Sequence, residues 1–285
     1  MALRIFLVGI LIISLGARAE DSSVSAEVEQ GEEASGLGAW VELRPSWNSS
    51  ENSMHSENEV GIEYRYHPDR AVGYTQEFFF RFNQPLDLPQ DQYYRTRFGE
   101  GYLWGDWAKV MDLGSHITLG YEPRLYFPTS GLEQEPGTIL STRQILKVDW
   151  EATPIFGLSF YEVPIFFWRN KAGYESEDGP IANYSFENRM EFGPQLTLLR
   201  EALKISVPLV FQARRHNNYQ PDASMNNTWS YSLWLSPEVI YKLTESTSIG
   251  VAYYSDTFID EGFRQTDVSG GLNKGTFQMV LQQSM

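Results

Sequence analysis

The residues of this sequence that could do chemistry are arginines and glutamates that alternate with apolar residues. In one segment, for example, Glu63 and Arg65 alternate with Ile62 and Tyr64. Alternate residues of a β-strand point to opposite faces, so the charged and apolar sets of such a segment lie on opposite sides. A guanidinium group pairs well with carboxylate or phosphate oxygens. The spacing therefore predicts a face that can guide or bind ionic groups.

The same alternation recurs along the chain and predicts one charged inner face built from many strands. The residues that we expect to line it are Arg44, Arg65, Arg81, Arg95, Arg97, Arg124, Arg143, Arg189, Glu63, Glu77, Glu122 and Glu187. Two interpretations are open. Rows of arginine could guide an anionic solute through a water-filled pore, or Arg and Glu could pair across strands to neutralise a narrow, plugged interior. The first interpretation is favoured.

Nucleophilic catalysis would need a base, and the chain has four histidines: His55, His67, His116 and His216. The first lies in a predicted loop, the second in a predicted turn, and His116 at an inward strand position. None of these three has a partner pattern for catalysis, and a solvated side chain is the ordinary state of a surface histidine. His216 is the remaining candidate for a general base.

The stretch from His216 to Ser230 resembles the active-site region of outer-membrane phospholipase A, a family of twelve-stranded barrels. In that family a serine lies two residues after the histidine, and an asparagine follows the later tryptophan. Here those positions hold Asn218 and Ser230. The resemblance therefore implies that the nucleophile is missing, because no serine follows His216 for it to activate. We expect no catalytic residue, and a phospholipase A-like enzyme stays an alternative.

Metal and cofactor sites are not expected. The acidic segment 175–178 lacks the regular oxygen-ligand spacing of a calcium loop, and the sequence has no glycine-rich phosphate loop. The chain has no cysteine, which excludes disulfides, thiolate metal ligands and cysteine nucleophiles. Its formal net charge of -15 at pH 7 argues against nucleic acid as a partner.

The first 19 residues are typical of a secretory signal peptide. Arg4 precedes an apolar run, and Ala17-Arg18-Ala19 provides a small-residue cleavage site. Residues 20–36 are acidic and rich in serine, which predicts a disordered periplasmic lead-in. The domain that remains is residues 37–285. Aromatic residues make up 14% of the whole chain, as expected where aromatic girdles surround a membrane barrel.

Period-two runs continue from the lead-in to the C-terminus and predict twelve strands. Short turns alternate with longer polar segments between them; Gly105 to Asp112 is a somewhat longer turn, and the segments 48–56 and 170–182 are loops. Short periplasmic turns and long external loops are typical of outer-membrane barrels. The predicted strands are 37–47, 57–67, 72–84, 92–104, 113–127, 137–150, 155–168, 183–199, 203–214, 228–242, 246–258 and 269–283.

The fold class predicted is all-β, a transmembrane antiparallel up-and-down β-barrel of about twelve strands. A soluble periplasmic β-sandwich is the alternative, but sandwich strands usually have about 5–6 residues, whereas a membrane strand needs roughly 9–11. A polar interior would also destabilise the core of a sandwich. The strand count, exported location and inward arginines resemble those of the twelve-stranded, oligogalacturonate-specific porins.

That resemblance implies passive diffusion of small, anionic solutes through a narrow, arginine-lined lumen in the outer membrane of a Gram-negative bacterium. The expected partners are outer-membrane lipid and lipopolysaccharide, the barrel-insertion machinery and a small solute. A plugged barrel with a structural or adhesin role stays an alternative.

Overall fold

A computed structural model of the protein describes residues 36–48, 53–81, 96–114, 116–129, 136–176, 179–199, 201–259 and 274–285. By its contacts the chain divides into two units, residues 1–33 and residues 34–285. All described residues belong to the second unit, so the predicted signal peptide and nearly all of the predicted lead-in lie outside them. Within these ranges no helix is long and apolar enough to cross a membrane.

The second unit is built of antiparallel strands. They are β1 (Gly36–Asn48), β2 (Ser53–His67), β3 (Arg70–Arg81), β4 (Thr96–Gly114), β5 (Ile117–Phe127), β6 (Thr138–Glu151), β7 (Phe156–Arg169), β8 (Gly173–Ser176), β9 (Gly179–Ala182), β10 (Tyr184–Leu198), β11 (Leu203–Ser206), β12 (Leu209–His216), β13 (Trp229–Leu235), β14 (Glu238–Lys242), β15 (Thr247–Tyr254) and β16 (Thr276–Ser284).

The sheet closes on itself, because β16 pairs with β1 and every other neighbour in the sheet is hydrogen-bonded in turn. β11 and β12 together pair with β10, and β13 and β14 pair with β12 and β11. Each of these two pairs therefore forms one interrupted strand of the barrel. The result is a closed, up-and-down antiparallel barrel of twelve strands, as the sequence predicts.

A proline lies at each interruption. Pro208 separates β11 from β12, and Pro237 separates β13 from β14. Proline has no N–H to donate to a sheet ladder, so one bond of the regular pairing is missing at each of these positions. The wall stays connected, since the Val207 N–H donates to the Pro194 carbonyl and the Ser236 N–H to the Pro208 carbonyl. These residues form an irregular patch on one side of the barrel.

The two ends of the barrel differ, and each is named here by its connections. The turn end holds both Gly36 and Met285 and the short connections 68–69, 115–116, 152–155, 199–202 and 243–246. The loop end holds the connections 49–52, 82–95, 128–137, 170–183, 217–228 and 255–275. The N–H of Ala39 donates to the carbonyl of Met285. The predicted alternation of connections is confirmed, and the described part of the barrel begins and finishes at the same end.

Strand registers set the width of the barrel. A path of register partners that starts at Glu42 and runs once around the sheet returns to β1 about 16 residues away from Glu42. For twelve strands this displacement corresponds to a strand tilt of about 40° and a backbone radius of about 12–13 Å. Long side chains from different parts of the wall can meet inside a cylinder of that radius. The lumen is consequently narrow.

The outer face is apolar and the inner face is polar, as the alternation predicts. Ile62 and Val251 on the outside are 54% and 56% exposed. On the inside, Tyr126 is 1% exposed and Glu187 is 3% exposed. The buried side chains of this barrel therefore fill its interior, and its exposed apolar side chains form its outer surface.

Three of the sequence predictions about loops are wrong. Gly105 to Asp112 is strand, because β4 pairs with β3 as far as Trp107 and with β5 as far as Gly114, and a bulge absorbs the extra residues. β2 begins at Ser53, so the first loop shortens to 49–52. The segment 170–182 contains the hairpin β8–β9, whose turn includes Gly179 at φ 111°, a conformation that glycine adopts without strain.

Candidate functional site: the charged interior of the barrel

Contacts between strands that are not neighbours show which side chains reach into the barrel. The Lys147 ammonium on β6 lies 3.5 Å from Asp106 on β4, although β5 lies between these strands. The Tyr102 hydroxyl on β4 donates to Glu59 on β2 at 3.4 Å. Such contacts span the concave side of the wall. The interior therefore carries a network of charged and phenolic side chains.

One side of this interior is a packed block of rings and cations. Tyr102 and Tyr126 stack with their ring centroids 4.5 Å apart. The Arg124 guanidinium lies 5.1 Å from the centroid of Tyr102, and that of Arg143 lies 3.9 Å from the centroid of Tyr126. A cation over an aromatic face is attracted by the quadrupole of the ring. The four side chains hold one another in fixed positions on β4, β5 and β6.

Carboxylates neutralise the cations of this block. Glu122 accepts from Arg124 and from the Lys147 ammonium, each at 2.5 Å. Glu100 lies 3.5 Å from Arg143. Salt bridges in a partly buried setting leave little free charge on either partner. The arginines predicted at 124 and 143 do lie on the inner face, but as members of ion pairs.

Three glutamates stand side by side on the other side of the interior. Glu42, Glu59 and Glu77 are direct register partners on β1, β2 and β3. Like charges in directly opposite positions repel one another. Glu42 is held by Arg44, whereas Glu59 and Glu77 form no ion pair within the described part of the chain. The Tyr102 hydroxyl and the Glu100 backbone N–H donate to them, and Arg124 acts on both from a greater distance. This wall therefore carries more carboxyl groups than ion-paired arginines.

Arg44 links β1 to the far side of the barrel seam. Its Nε donates to Glu42, and its Nη1 donates to Tyr254 and to Gln278, each at 3.3 Å. The same Nη1 lies 3.7 Å from Glu238 on β14. The guanidinium thus has partners on four neighbouring strands, β1, β16, β15 and β14, and is held at both of its ends.

Two cavities lie inside the barrel, and Arg44 lines both. The first, the prolyl cavity, has a volume of about 360 Å³ and includes Tyr161, Glu191, Pro208 and Glu238 in its lining. The second, the glutamyl cavity, has a volume of about 480 Å³. Its lining consists of Glu42, Arg44, Glu57, Asn58, Glu59, Glu77, Phe79 and Arg124.

A further cluster of charges centres on Glu187, nearer the loop end. This carboxylate is 3% exposed and accepts from the Arg214 Nε at 2.9 Å and from the Gln212 amide. Arg189 lies 3.6 Å away and 5.9 Å from the ring centroid of Trp234. One buried carboxylate therefore holds two arginines of neighbouring strands.

The remaining residues of the predicted lining lie near the two ends. Arg65 contacts Glu63 at 3.4 Å and donates to the Pro68 carbonyl at the turn end. Arg97 lies 5.0 Å from the ring centroid of Phe79, and Arg81 is the last residue of β3. Arg95 lies outside the described residues. That these side chains line a conducting pore stays a prediction.

Sequence reasoning missed several residues of the interior. Glu100 and Asp106 were hidden by a glycine-rich segment that was interpreted as the end of a strand followed by a turn. Glu57 is the first residue of its predicted strand and was not counted with the inner face, and Tyr102 and Tyr126 were not distinguished from the aromatic girdle. Strict alternation along an uninterrupted β4 would have placed Tyr102 and Asp106 on the inner face.

The histidines need two corrections. His116 is not an inward strand residue; it lies in an exposed turn with φ 63°. His55 belongs to β2 and lies 3.6 Å from Glu57. His67 begins its predicted turn and accepts a hydrogen bond from the Asp69 N–H.

His216 does have a hydroxyl beside it, contrary to expectation. Its Nε2 lies 3.0 Å from the Ser230 hydroxyl, because the pairing of β12 with β13 brings Ser230 next to it. Its Nδ1 lies 3.1 Å from the Ala182 carbonyl. Since a carbonyl oxygen only accepts, Nδ1 carries the proton and the Ser230 hydroxyl donates to Nε2. The ring is 8% exposed.

No protein-family model matches the sequence, and no curated protein matches it either. The fold, in contrast, has known counterparts. The barrel is similar to the COG4313 outer membrane channel from Pseudomonas putida F1, with a TM-score of 0.60 and 8% identity over 92% of this chain and 100% of that one. It is also similar to the NanC porin, with a TM-score of 0.50 and 9% identity over 85% of this chain and 97% of that one.

The architecture is that of outer-membrane channels and porins. Because the sequence identities are only 8% and 9%, this structural similarity shows a shared fold alone. The function has to be argued from the interior of the barrel.

Proposed function

We propose that this protein is a narrow diffusion channel for small solutes in the outer membrane of a Gram-negative bacterium. The observation that carries the proposal is the pair of cavities enclosed by the wall of a closed barrel, both lined by charged and polar side chains. A barrel that served only as a scaffold would gain stability from apolar filling of this space. Water-filled space with fixed charges is what a channel needs.

The apolar outer face supports a position in the lipid bilayer. Exposed apolar side chains cost free energy in water and none in hydrocarbon. The predicted signal peptide supports export, and the partners that follow are outer-membrane lipid, lipopolysaccharide and the machinery that inserts barrels. A plugged barrel with an adhesive or structural role remains the competing account.

The proposal also includes a more specific claim, which concerns the charge of the solute. The sequence predicts anionic solutes because many arginines face inward. In the middle of the barrel, however, Arg44, Arg124 and Arg143 are all in ion pairs with carboxylates, whereas Glu59 and Glu77 form no close ion pair among the described residues and interact with Arg124 only at a greater distance. Fixed charges that are not neutralised set ionic selectivity. We therefore propose a preference for cations over anions, opposite to the expectation from sequence.

A swelling assay tests the diffusion proposal without using charge. Liposomes that contain the refolded protein are placed in iso-osmotic solutions of uncharged sugars of increasing size. A narrow channel admits small sugars and excludes larger ones, so the swelling rate is expected to fall with sugar size. Liposomes that swell no faster than protein-free liposomes in any sugar contradict the proposal.

A second candidate function is hydrolysis, favoured by the hydrogen bond from Ser230 to His216. A serine that donates to a base oriented by a third group is the arrangement of nucleophilic hydrolases. A fluorophosphonate probe, which reacts with activated serines, tests it. Labelling of Ser230 that disappears in the His216→Ala variant supports this function, and an unlabelled protein rejects it. In the latter case the histidine only ties the segment 170–183 to β13.

A further inference from the structure

We infer that the Arg44 side chain is the partition between the two halves of the lumen and that its displacement joins them. This inference rests on the proposed channel function. It goes beyond that function by assigning the narrowest point to one residue. The observation behind it is that Arg44 lines both the prolyl cavity and the glutamyl cavity.

The two cavities occupy different sides of the barrel. The glutamyl cavity is bounded by β1, β2, β3 and β5, through residues such as Glu59, Glu77 and Arg124. The prolyl cavity is bounded by β1, β7, β10, β11, β14 and β15, through residues such as Tyr161 and Glu238, and by Pro208 and Ser236 in the two interruptions. Arg44 on β1 stands where these two sets of strands meet. A solute that moves from one cavity to the other along β1 has to pass its guanidinium.

The guanidinium is held in this position from both sides. Glu42 accepts from its Nε, and a Gln282 amide that donates to the other oxygen of Glu42 keeps that carboxylate in place. On the other side, Tyr254 and Gln278 accept from Nη1 at 3.3 Å, and Glu238 lies at 3.7 Å. Of these contacts, the ion pair with Glu238 is the longest and therefore the weakest.

This difference indicates how the partition opens. The bond to Glu42 is a local bond within β1, and it can persist while the far end of the side chain leaves Glu238, Tyr254 and Gln278. The guanidinium then swings towards β1 and the two cavities become continuous. Glu238 is therefore the tether, and Glu42 is the pivot.

Single-channel recording on purified, refolded protein tests the partition. In the Arg44→Ala variant the conductance is expected to rise about twofold, because the side chain at the narrowest point sets the resistance of a pore. Arg124→Ala and Arg189→Ala are the matched controls. Each removes the same type of side chain, but Arg124 lines only the glutamyl cavity and Arg189 only the prolyl cavity. Each is expected to change the conductance less than Arg44→Ala does, because neither stands between the two cavities.

Two further variants keep the test valid if Arg44→Ala does not refold. Arg44→Lys retains the charge but cannot bridge Glu42 and Glu238 at the same time, and Glu238→Gln weakens only the tether. Both are expected to open more often and for longer than the wild type. Folding of every variant is checked by the shift in electrophoretic mobility between heated and unheated samples.

The possible outcomes separate the inference from the proposed function. If the wild type conducts and the conductance rises equally in Arg44→Ala and in the two controls, the partition is overturned and the channel function stands. A silent wild type with a conducting Arg44→Ala variant supports the partition and shows a lumen closed by Arg44. Folded proteins that are all silent, with and without Arg44, overturn the partition and the channel together.

Discussion

At the scale of single residues, the interior depends on carboxylates that each hold more than one cation. Glu187 is the clearest example, because it is buried and contacts both Arg189 and Arg214. Removal of one partner from such a group leaves the other charges without compensation. The carboxylates of this barrel therefore contribute to its stability as well as to its selectivity.

The Glu187→Gln substitution is expected to lower the free energy of unfolding by about 3 kcal/mol, because two arginines lose a buried partner. Glu63→Gln is the control, since the pair of Glu63 with Arg65 lies near an open end, where such pairs contribute about 0–1 kcal/mol. Urea titration in lipid vesicles, followed by tryptophan fluorescence, measures both. Equal losses of stability in the two variants would contradict the central role given to Glu187.

Sequence patterns identify the side of the wall that a residue faces but not its partner. Alternation correctly places Glu63 inside and Ile62 outside. The contact of Arg44 with Glu238 could not be predicted, because it exists only once β14, β15, β16 and β1 have closed the barrel. The hydrogen bond from Ser230 to His216 was missed for a related reason: the two residues are distant in sequence and become neighbours only through strand pairing.

At the scale of elements, the boundaries of some regularly alternating strands were predicted to within one residue, whereas those of irregular strands were not. β7, predicted at 155–168, spans Phe156–Arg169. β4 was predicted to end at 104 but continues to Gly114. Glycines in a strand weaken it and are typical of turns as well, so the segment around Gly99, Gly101 and Gly105 is ambiguous until β3 and β5 are seen to pair with it. The prolines of β11 to β14 are equally ambiguous in sequence.

Outer and inner positions of the strands should respond differently to a new charge. Arginine in place of Ile62, which lies on the outer face near the middle of β2, is expected to cost about 2–4 kcal/mol in a bilayer. Arginine in place of Ser236, which lines the prolyl cavity, should cost much less, because a cavity with a polar lining of this volume can hold water. Unfolding in vesicles measures both. Similar costs at the two positions would show that the outer face does not contact lipid.

At the scale of the whole molecule, barrel closure and the mixture of inner charges determine what the protein can do. Twelve tilted strands enclose a space that is narrow but not filled, and the net charge of the middle of the lumen follows from carboxylates that exceed their cationic partners. The number of strands could be predicted from the sequence, since each strand has an alternation of apolar and polar residues. The two cavities that Arg44 lines could not be predicted, because their shape depends on how side chains of different strands fit together.

The most direct test of the account is single-channel conductance of the refolded wild-type protein in a planar bilayer, with the reversal potential measured across a salt gradient. We expect steady, small conductance steps from the wild type and a reversal potential that shows a preference for cations. We expect this preference to weaken in the double variant Glu59→Gln, Glu77→Gln. A preference for anions would contradict the proposed selectivity and would support the sequence-based prediction of anionic solutes, which rests on the inward arginines. A correctly inserted barrel that conducts no ions would contradict the channel itself.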